Sequence, residues 1–188
     1  MESILQSSLA QEASALFVHA DVTGALMNDL VVSMDGIPAA SFPSHKLIYS
    51  GHFHKPHTVK SSNGLVRVEY LGSPYETSLS EAQQLKSLAV LDKHWKCVES
   101  IPMDVGRRHF KVSSWDELSK LTLPSERSER GAIGPGKVRP GDRIVASIPQ
   151  EAMDRQSSAV TDHIKSLRAG GVLVEIREVK SMVELAPG

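Results

Sequence analysis

The sequence predicts a mixed α/β protein, and three observations support this fold class. Amphipathic spacing predicts a helix at residues 2–14. A strand at 142–148, a helix closed by two glycines and a strand at 172–179 form a β-α-β module near the C-terminus. Short runs typical of strands recur at 15–19, 47–50 and 87–92, where they are largely apolar, and at 66–71, where apolar and polar residues alternate. Strands and helices therefore occur in both parts of the chain, as in α/β or α+β proteins.

Composition and charge are those of an ordinary globular protein. The 188 residues have a formal net charge of −1 and are 40% hydrophobic, so the bulk charge indicates neither nucleic acid nor an acidic partner. The length suits one domain, or one domain with a small appendage. The single cysteine, Cys97, gives no sign of an oxidising compartment. Because signal-peptide and membrane-span patterns are both missing, we expect a soluble intracellular protein without membrane contact.

The order of elements follows from the apolar pattern and from the turn residues. Glycines and prolines mark residues 21–43 as a long connection. Ser114 followed by Glu117 fits a capping box that opens the short helix WDELSKL. Besides the strand at 15–19, strands are expected at 47–50, 58–59, 66–71, 87–92, 95–101 and 109–114. The N-terminal part should therefore be built mainly from strands.

The domain organisation is predicted from a loop-like segment at 122–141. This segment holds three prolines and four glycines and has little apolar periodicity, so it is a loop or an interdomain linker. We therefore expect one domain over residues 1–121, the linker over 122–141, and a small β-α-β domain over 142–188.

Histidines follow two of the predicted strands. His19 ends the strand at 15–19, and the motif GHFHKPH at 51–57 places His52 and His54 where the next strand ends. Imidazole is the commonest metal ligand among side chains, and α/β sheets bind ligands at the carboxyl ends of their strands. Gly51 would let the backbone turn sharply there. These residues therefore predict a convergent metal site, and a solvated histidine-rich loop is the alternative.

Three motifs carry a family resemblance. FVHADVTG, then LIYSGHFHKPH, and then VEYLGSPYETSLSE together resemble the last third of the calcineurin-like metallophosphoesterases. Within that superfamily they are most similar to the nucleases of DNA double-strand-break repair and phage recombination, which work with an SMC-like ATPase. The resemblance covers residues 1–121, and more loosely residues 142–179. It implies the C-terminal half of a metallophosphoesterase β-sandwich flanked by helices, followed by a small capping-type domain.

The resemblance also implies roles for the histidines. His19 and His52 would bind one ion of a dinuclear site and His54 would bind the other, with two Mn²⁺ ions in a complete protein. Such ions bind the scissile phosphate and lower the pKa of a water. The implied function is a two-metal phosphodiesterase or DNA nuclease. Its implied partners are DNA or another phosphodiester, the SMC-like ATPase subunit, and a second copy of the chain.

Substrate contacts are assigned to two places near the histidines. The resemblance implies that the loop of Gly72, Ser73 and Pro74 lies beside the metal site, although plain turn chemistry explains the same residues. His57 follows Pro56 and falls outside the two-ligand spacing. It is expected either to face the substrate or to be simply exposed.

Three further motifs belong to the family pattern and precede the histidines in it. They are Asp-x-His, Gly-Asp-x-x-Asp and Gly-Asn-His, and the resemblance places them, with the catalytic residues, upstream of Met1. The acids near the histidines have no ligand role in that pattern, and we interpret them as turn formers or surface charges; they are Asp21, Asp29, Asp35, Glu69 and Glu76. The chain is thus expected to be a fragment, a subunit that pairs with a separate chain, or a non-catalytic protein.

Two alternatives to the nuclease hypothesis remain. One is a non-catalytic module that keeps this fold in order to bind or scaffold a partner. The other is a single structural metal ion held by His19, His52 and His54, whose removal would destabilise the folded chain.

Overall fold

The described part of the protein comprises residues 2–27, 31–124 and 136–179 of a computed structural model. The chain divides into two units, unit 1 (Met1–Val105) and unit 2 (Gly106–Gly188). Helices and several separate sheets occur, which confirms the mixed α/β class. Within these ranges, no helix has the length and apolar character needed to cross a membrane.

A four-stranded sheet organises unit 1. Its strands are β1 (Ala15–His19), β2 (Leu47–Gly51), β3 (His57–Lys60) and β4 (Arg67–Tyr70), in the order β1-β2-β4-β3. Strands β1, β2 and β4 are parallel, and β3 pairs antiparallel with β4. In the register of β1 and β2, His19 lies opposite Gly51. Both strands therefore end at the same edge of the sheet.

The core of unit 1 lies on one face of this sheet. Because side chains alternate along a strand, Ile48, Val68 and Tyr70 reach the same buried layer. They pack with residues from the connections, among them Val22 and Phe42. This packing fixes the strand ends, because a one-residue slip would move the apolar set to the opposite face.

The N-terminal helix predicted over residues 2–14 forms two pieces. These are α1 (Glu2–Leu5) and α2 (Ser8–Glu12). Ser7 caps α2, and its Oγ accepts a hydrogen bond from the amide of Ala10 at 3.3 Å. A serine hydroxyl competes with helical hydrogen bonds. The helix therefore breaks at Ser7 although the helical spacing of apolar residues continues through it.

A hairpin follows the sheet, as the sequence predicts. It pairs β5 (Lys86–Leu91) antiparallel with β6 (Cys97–Met103). Asp92 holds the turn, because its Oδ1 accepts from the amides of His94 at 2.8 Å and Lys96 at 2.9 Å. Trp95 has a positive φ of 64° in this turn.

Unit 2 is a three-stranded parallel sheet with helices. Its elements are β7 (His109–Val112), α3 (Trp115–Ser119), β8 (Arg143–Pro149), α4 (Gln150–Met153), α5 (Ser158–Ala169) and β9 (Leu173–Val179), with strand order β7-β8-β9. The predicted β-α-β module is confirmed. Its helix is divided, because Ser157 caps α5 by accepting from the amide of Val160. The predicted cap of α3 is also present, since Ser114 Oγ accepts from the amide of Glu117.

The boundary between the units differs from the expected domain end at residue 121. Strand β7 pairs with β8, and Phe110 lies opposite Ile144. Leu118 of α3 is fully buried in the same cluster as Ile144. These contacts place residues 106–121 in unit 2. Of the expected linker, residues 125–135 lie outside the described residues, and on either side of them Thr122 and Lys137 form a bridge.

A buried carboxylate organises the start of β8. Asp142 is completely buried and accepts hydrogen bonds from Arg108 Nη2 at 2.6 Å and Nε at 3.1 Å. The amide of Arg139 donates to it at 2.9 Å. A buried charge needs partners of this kind, because desolvation disfavours it strongly.

Candidate functional site

The parallel ends of β1 and β2 bring two of the predicted ligands together. The rings of His19 and His52 lie edge to face, with centroids 5.3 Å apart and planes inclined by 85°. This proximity follows from the strand register, because His52 comes directly after the residue that pairs with His19. The sheet edge therefore presents a pair of neighbouring imidazoles.

The backbone at this edge is adapted to the two rings. A Cβ atom on Gly51 would lie 2.8 Å from Nδ1 of His19, closer than non-bonded atoms tolerate. His52 has a φ of +86°, which is uncommon for a residue with a side chain. Such a conformation costs about 1–3 kcal/mol and is typical of functional sites. Gly51 and the turn at His52 thus make room for the pair of rings.

His54 lies in a different set of contacts. Its Nδ1 is 3.0 Å from Glu81 Oε1 and 2.9 Å from the hydroxyl of Thr77. The Thr77 hydroxyl also donates to Glu81. The side chain of His54 is 50% exposed, whereas that of Glu81 is only 7% exposed. A buried carboxylate therefore binds the Nδ1 edge of a ring that is half exposed to solvent.

Glu81 is paired with a buried lysine. Lys86 Nζ lies 2.7 Å from Glu81 Oε2 and also donates to Ser73 Oγ at 2.9 Å. Burial raises the pKa of the Glu81 carboxyl, but hydrogen bonds from Lys86, Thr77 and His54 outweigh it and hold that pKa well below its usual range. Glu81 is therefore a carboxylate that accepts hydrogen bonds. The motif VEYLGSPYETSLSE ends at Glu81, but its residue pattern does not indicate a role for Glu81 or for Lys86.

The Gly-Ser-Pro loop lies against the histidine motif. Ser73 donates its amide hydrogen to the carbonyl oxygen of His54 at 3.1 Å. Gly72 has a φ of +78°, and a Cβ there would lie 2.8 Å from Pro56. Pro74 follows in the same loop and is exposed. The loop therefore contacts the backbone of the histidine motif.

His57 makes contacts within the protein. Its Nε2 accepts from the amide of Leu26 at 2.9 Å, and its Nδ1 donates to the carbonyl oxygen of Lys55 at 2.8 Å. The ring stacks on Tyr70, with centroids 4.6 Å apart and planes inclined by 11°. Both ring nitrogens are thus engaged within the protein, which leaves neither for a substrate.

A cleft of about 370 Å³ opens beside His52 and His54. Hydroxyl groups of Thr77, Ser78 and Ser80 line it together with Glu81. This volume is within the range of small-molecule sites, which is roughly 300–1,000 Å³. A polar ligand could therefore contact the histidines from the cleft.

The donors present fit part of a metal site. Among the described residues, no group of three or more His, Cys, Asp or Glu side chains is arranged to hold a metal ion. His19 and His52 form a pair, while His54 is bonded through Nδ1 to a carboxylate, as metal-binding histidines commonly are. Asp21 Oδ1 is buried and has no hydrogen-bond partner in the described part of the chain. The residues thus offer imidazole donors but not the full ligand set of a dinuclear site.

The chain matches no protein-family model and no curated protein. Function must therefore be argued from the chemistry of the site. Imidazole nitrogens can bind a transition metal or exchange a proton near neutral pH. A carboxylate fixed by an ammonium group can orient such an imidazole, and hydroxyl groups nearby can bind a polar ligand.

Proposed function

We propose that this chain supplies the histidine part of a divalent-metal phosphodiesterase site of the DNA-nuclease type. The observation that carries the proposal is the pair of His19 and His52 at the ends of two adjacent parallel strands. The spacing of GHFHKPH and of the Gly-Ser-Pro loop supports it as well. In this proposal the described sheet and unit 2 are the C-terminal half of the metallophosphoesterase sandwich and its capping-type domain.

The histidines, Glu81 and the Gly-Ser-Pro loop have different roles in the proposed reaction. His19 and His52 hold one cation and His54 holds the second, and Mn²⁺ is the proposed metal. When bound, the cations supply charge stabilisation and an acidified water. Glu81 orients the ring of His54, and the Gly-Ser-Pro loop supports its backbone. In the family pattern carboxylate ligands complete such a site, and the proposed substrate is DNA or another phosphodiester.

Calorimetric titration of Mn²⁺ into the metal-free chain tests the binding part of this proposal. We expect His52→Ala and His54→Ala to weaken binding at least tenfold each, because each variant removes one ligand nitrogen. His94→Ala is the matched control, since His94 is exposed in the β5–β6 turn. Binding that is unchanged in both site variants would overturn the metal assignment.

Cleavage of duplex DNA tests the reaction itself. Mn²⁺-dependent cleavage of duplex DNA should be lost when His52 and His54 are jointly replaced by alanine. Cleavage that survives this double replacement would overturn the catalytic assignment.

A second candidate function is favoured by an exposed aromatic group at the same sheet. Phe17 on β1 is 56% exposed, and its ring lies 5.5 Å from that of Tyr49 and 5.6 Å from that of Trp95. Within the described residues, β1 pairs with β2 alone, and no strand pairs with its other edge. Exposed apolar groups beside an unpaired strand edge suit a protein partner. The chain would then be a non-catalytic module that binds a partner such as an SMC-like ATPase subunit or a second copy.

Sedimentation velocity distinguishes the second-copy form of this alternative. Under it, the wild-type chain dimerises, Phe17→Ser abolishes the dimer, and His52→Ala leaves it intact. A monomer at every concentration would contradict this form of the alternative.

A further inference from the structure

Lys86 fixes His54 through two separate routes. Its Nζ donates to the backbone carbonyl oxygen of His54 at 3.0 Å. The same nitrogen lies 2.7 Å from Glu81 Oε2, and Glu81 Oε1 lies 3.0 Å from Nδ1 of the His54 ring. Both the main chain and the ring of His54 are therefore held from one buried ion pair.

The hydrogen-bond directions in this network determine which ring nitrogen carries the proton. Lys86 can only donate, so the Glu81 carboxylate accepts on one oxygen from the ammonium group. The other oxygen, Oε1, accepts from the hydroxyl of Thr77. Since a carboxylate without a proton has nothing to donate, Nδ1 of His54 must be the donor of its bond to Glu81. In neutral His54 the second nitrogen, Nε2, then carries a lone pair.

Nε2 is also the nitrogen that remains accessible. His54 lines the cleft and is 50% exposed, and in the described part of the chain Nε2 makes no hydrogen bond. We infer that Glu81, anchored by Lys86, is a positioning residue that holds His54 as its Nδ1–H tautomer, with Nε2 as the acceptor available to a ligand. The consequence for cation binding rests on the proposed function, whereas the tautomer does not.

Glu81→Gln tests this inference by reversing one bond. The amide oxygen of the glutamine must turn toward Lys86, which offers only donors. Its NH₂ group then faces His54, so Nδ1 has to accept and the ring proton moves to Nε2. Long-range ¹H–¹⁵N correlation spectra of the imidazole distinguish the two tautomers. They are recorded without metal at about pH 8.5, where histidine is neutral, and the loss of signals in His54→Gln assigns the ring.

Glu76→Gln is the matched control. Glu76 is a buried carboxylate in the same segment, and its Oε1 accepts from the amide of Gln83. We expect Nδ1–H His54 in the wild type and in this control, and Nε2–H His54 in Glu81→Gln. A wild-type ring that is mainly Nε2–H overturns the inference, and this spectrum needs no variant to fold. The same tautomer in wild type and folded Glu81→Gln overturns it as well.

Mn²⁺ titration separates this inference from the proposed function. Loss of an outer partner of a metal-binding histidine lowers affinity about 10–100-fold, so Glu81→Gln should weaken Mn²⁺ binding by that factor. Wild-type protein that binds no Mn²⁺ but shows a Glu81-dependent tautomer supports this inference and overturns the proposed function. Mn²⁺ binding that is lost in His54→Ala yet complete in Glu81→Gln overturns this inference alone.

Discussion

The ammonium nitrogen of Lys86 lies 3.0 Å from the backbone carbonyl oxygen of His54. Through Glu81 the same group also holds the ring of His54. Replacing a buried ion pair by apolar residues is often neutral or stabilising, so stability alone is a weak explanation for this pair. The orientation that it gives to a half-exposed imidazole is the better explanation.

The lowered pKa of Glu81 predicts that the folded protein loses stability in acid. Its pKa is ordinarily 4.5 and is lower in the folded protein, so below pH 4.5 the unfolded chain binds a proton that the folded chain does not. The free energy of unfolding must therefore fall with decreasing pH, by up to about 1.4 kcal/mol per pH unit from this group. Above pH 4.5 the contribution of Glu81 is complete.

Urea unfolding of metal-free protein at a series of pH values measures this loss. A Trp115→Phe background leaves Trp95 as the fluorescent reporter in unit 1, because the chain has two tryptophans. Glu81→Gln lacks the titrating carboxyl group, so its free energy of unfolding should depend less steeply on pH in acid. Equal slopes for the two proteins would contradict the assignment of a depressed pKa to Glu81.

Replacement of Gly51 by alanine should weaken cation binding without unfolding the protein. The added Cβ would approach His19 Nδ1 to 2.8 Å, so the ring of His19 must leave its position beside His52. The backbone of Gly51 is outside the left-handed region, so alanine adds no strain of its own. We expect Mn²⁺ affinity to fall about tenfold or more, as for other disturbances of ligand orientation, in calorimetric titrations.

Gly64→Ala is the control for this substitution. A Cβ at Gly64 meets nothing within 4 Å, but its φ of +71° disfavours alanine. It should therefore lower the free energy of unfolding by about 1 kcal/mol and leave Mn²⁺ affinity unchanged. Unchanged Mn²⁺ affinity in Gly51→Ala together with weaker Mn²⁺ binding in Gly64→Ala would contradict the placement of His19 in the site.

His57→Phe should reduce stability and leave cation binding intact. The phenyl ring can still stack on Tyr70, but the amide of Leu26 and the carbonyl of Lys55 lose their partners. The loss of these part-buried hydrogen bonds should lower the free energy of unfolding by about 1 kcal/mol, which urea unfolding measures. A loss of Mn²⁺ affinity at full stability would instead return His57 to the binding site.

Asp142→Ala should destabilise unit 2. The substitution leaves Arg108 and the amide of Arg139 without their carboxylate partner. Removing one member of a buried pair costs about 3–5 kcal/mol, and Trp115 in a Trp95→Phe background reports it. Glu175→Gln is the control, because Glu175 is 41% exposed and solvent screens its ion pairs with Arg143 and Arg177, so their loss should change the stability little. If Asp142→Ala and Glu175→Gln lowered the free energy of unfolding by similar amounts, burial of Asp142 would not explain its contribution to stability.

The sequence predicted the strands of unit 1 and the β-α-β module because their apolar patterns are local. It did not reveal the domain boundary, since β7 belongs to unit 2 only through its pairing with β8. No local pattern specifies the partner of a parallel strand. The two breaks in predicted helices, at Ser7 and Ser157, were likewise decided by single capping hydroxyls.

The candidate site was predicted in part for a similar reason. The strand ends indicated His19 and His52, and parallel pairing brought their rings together. The part played by His57 depends on the amide of Leu26, a contact that spans 31 residues of sequence. Glu81 and Lys86 were missed because charged residues near a turn are ordinarily solvated, and only the fold shows that these two are buried.

A Mn²⁺ titration followed by the imidazole NMR signals of the ¹⁵N-labelled chain tests the proposed cation site most directly. Paramagnetic Mn²⁺ broadens the signals of nuclei close to it. We expect the His19, His52 and His54 signals to broaden at lower Mn²⁺ concentrations than the signal of His94, which is exposed in the β5–β6 turn. Broadening that is absent, or equal at these four rings, would contradict a cation site at the ends of β1 and β2.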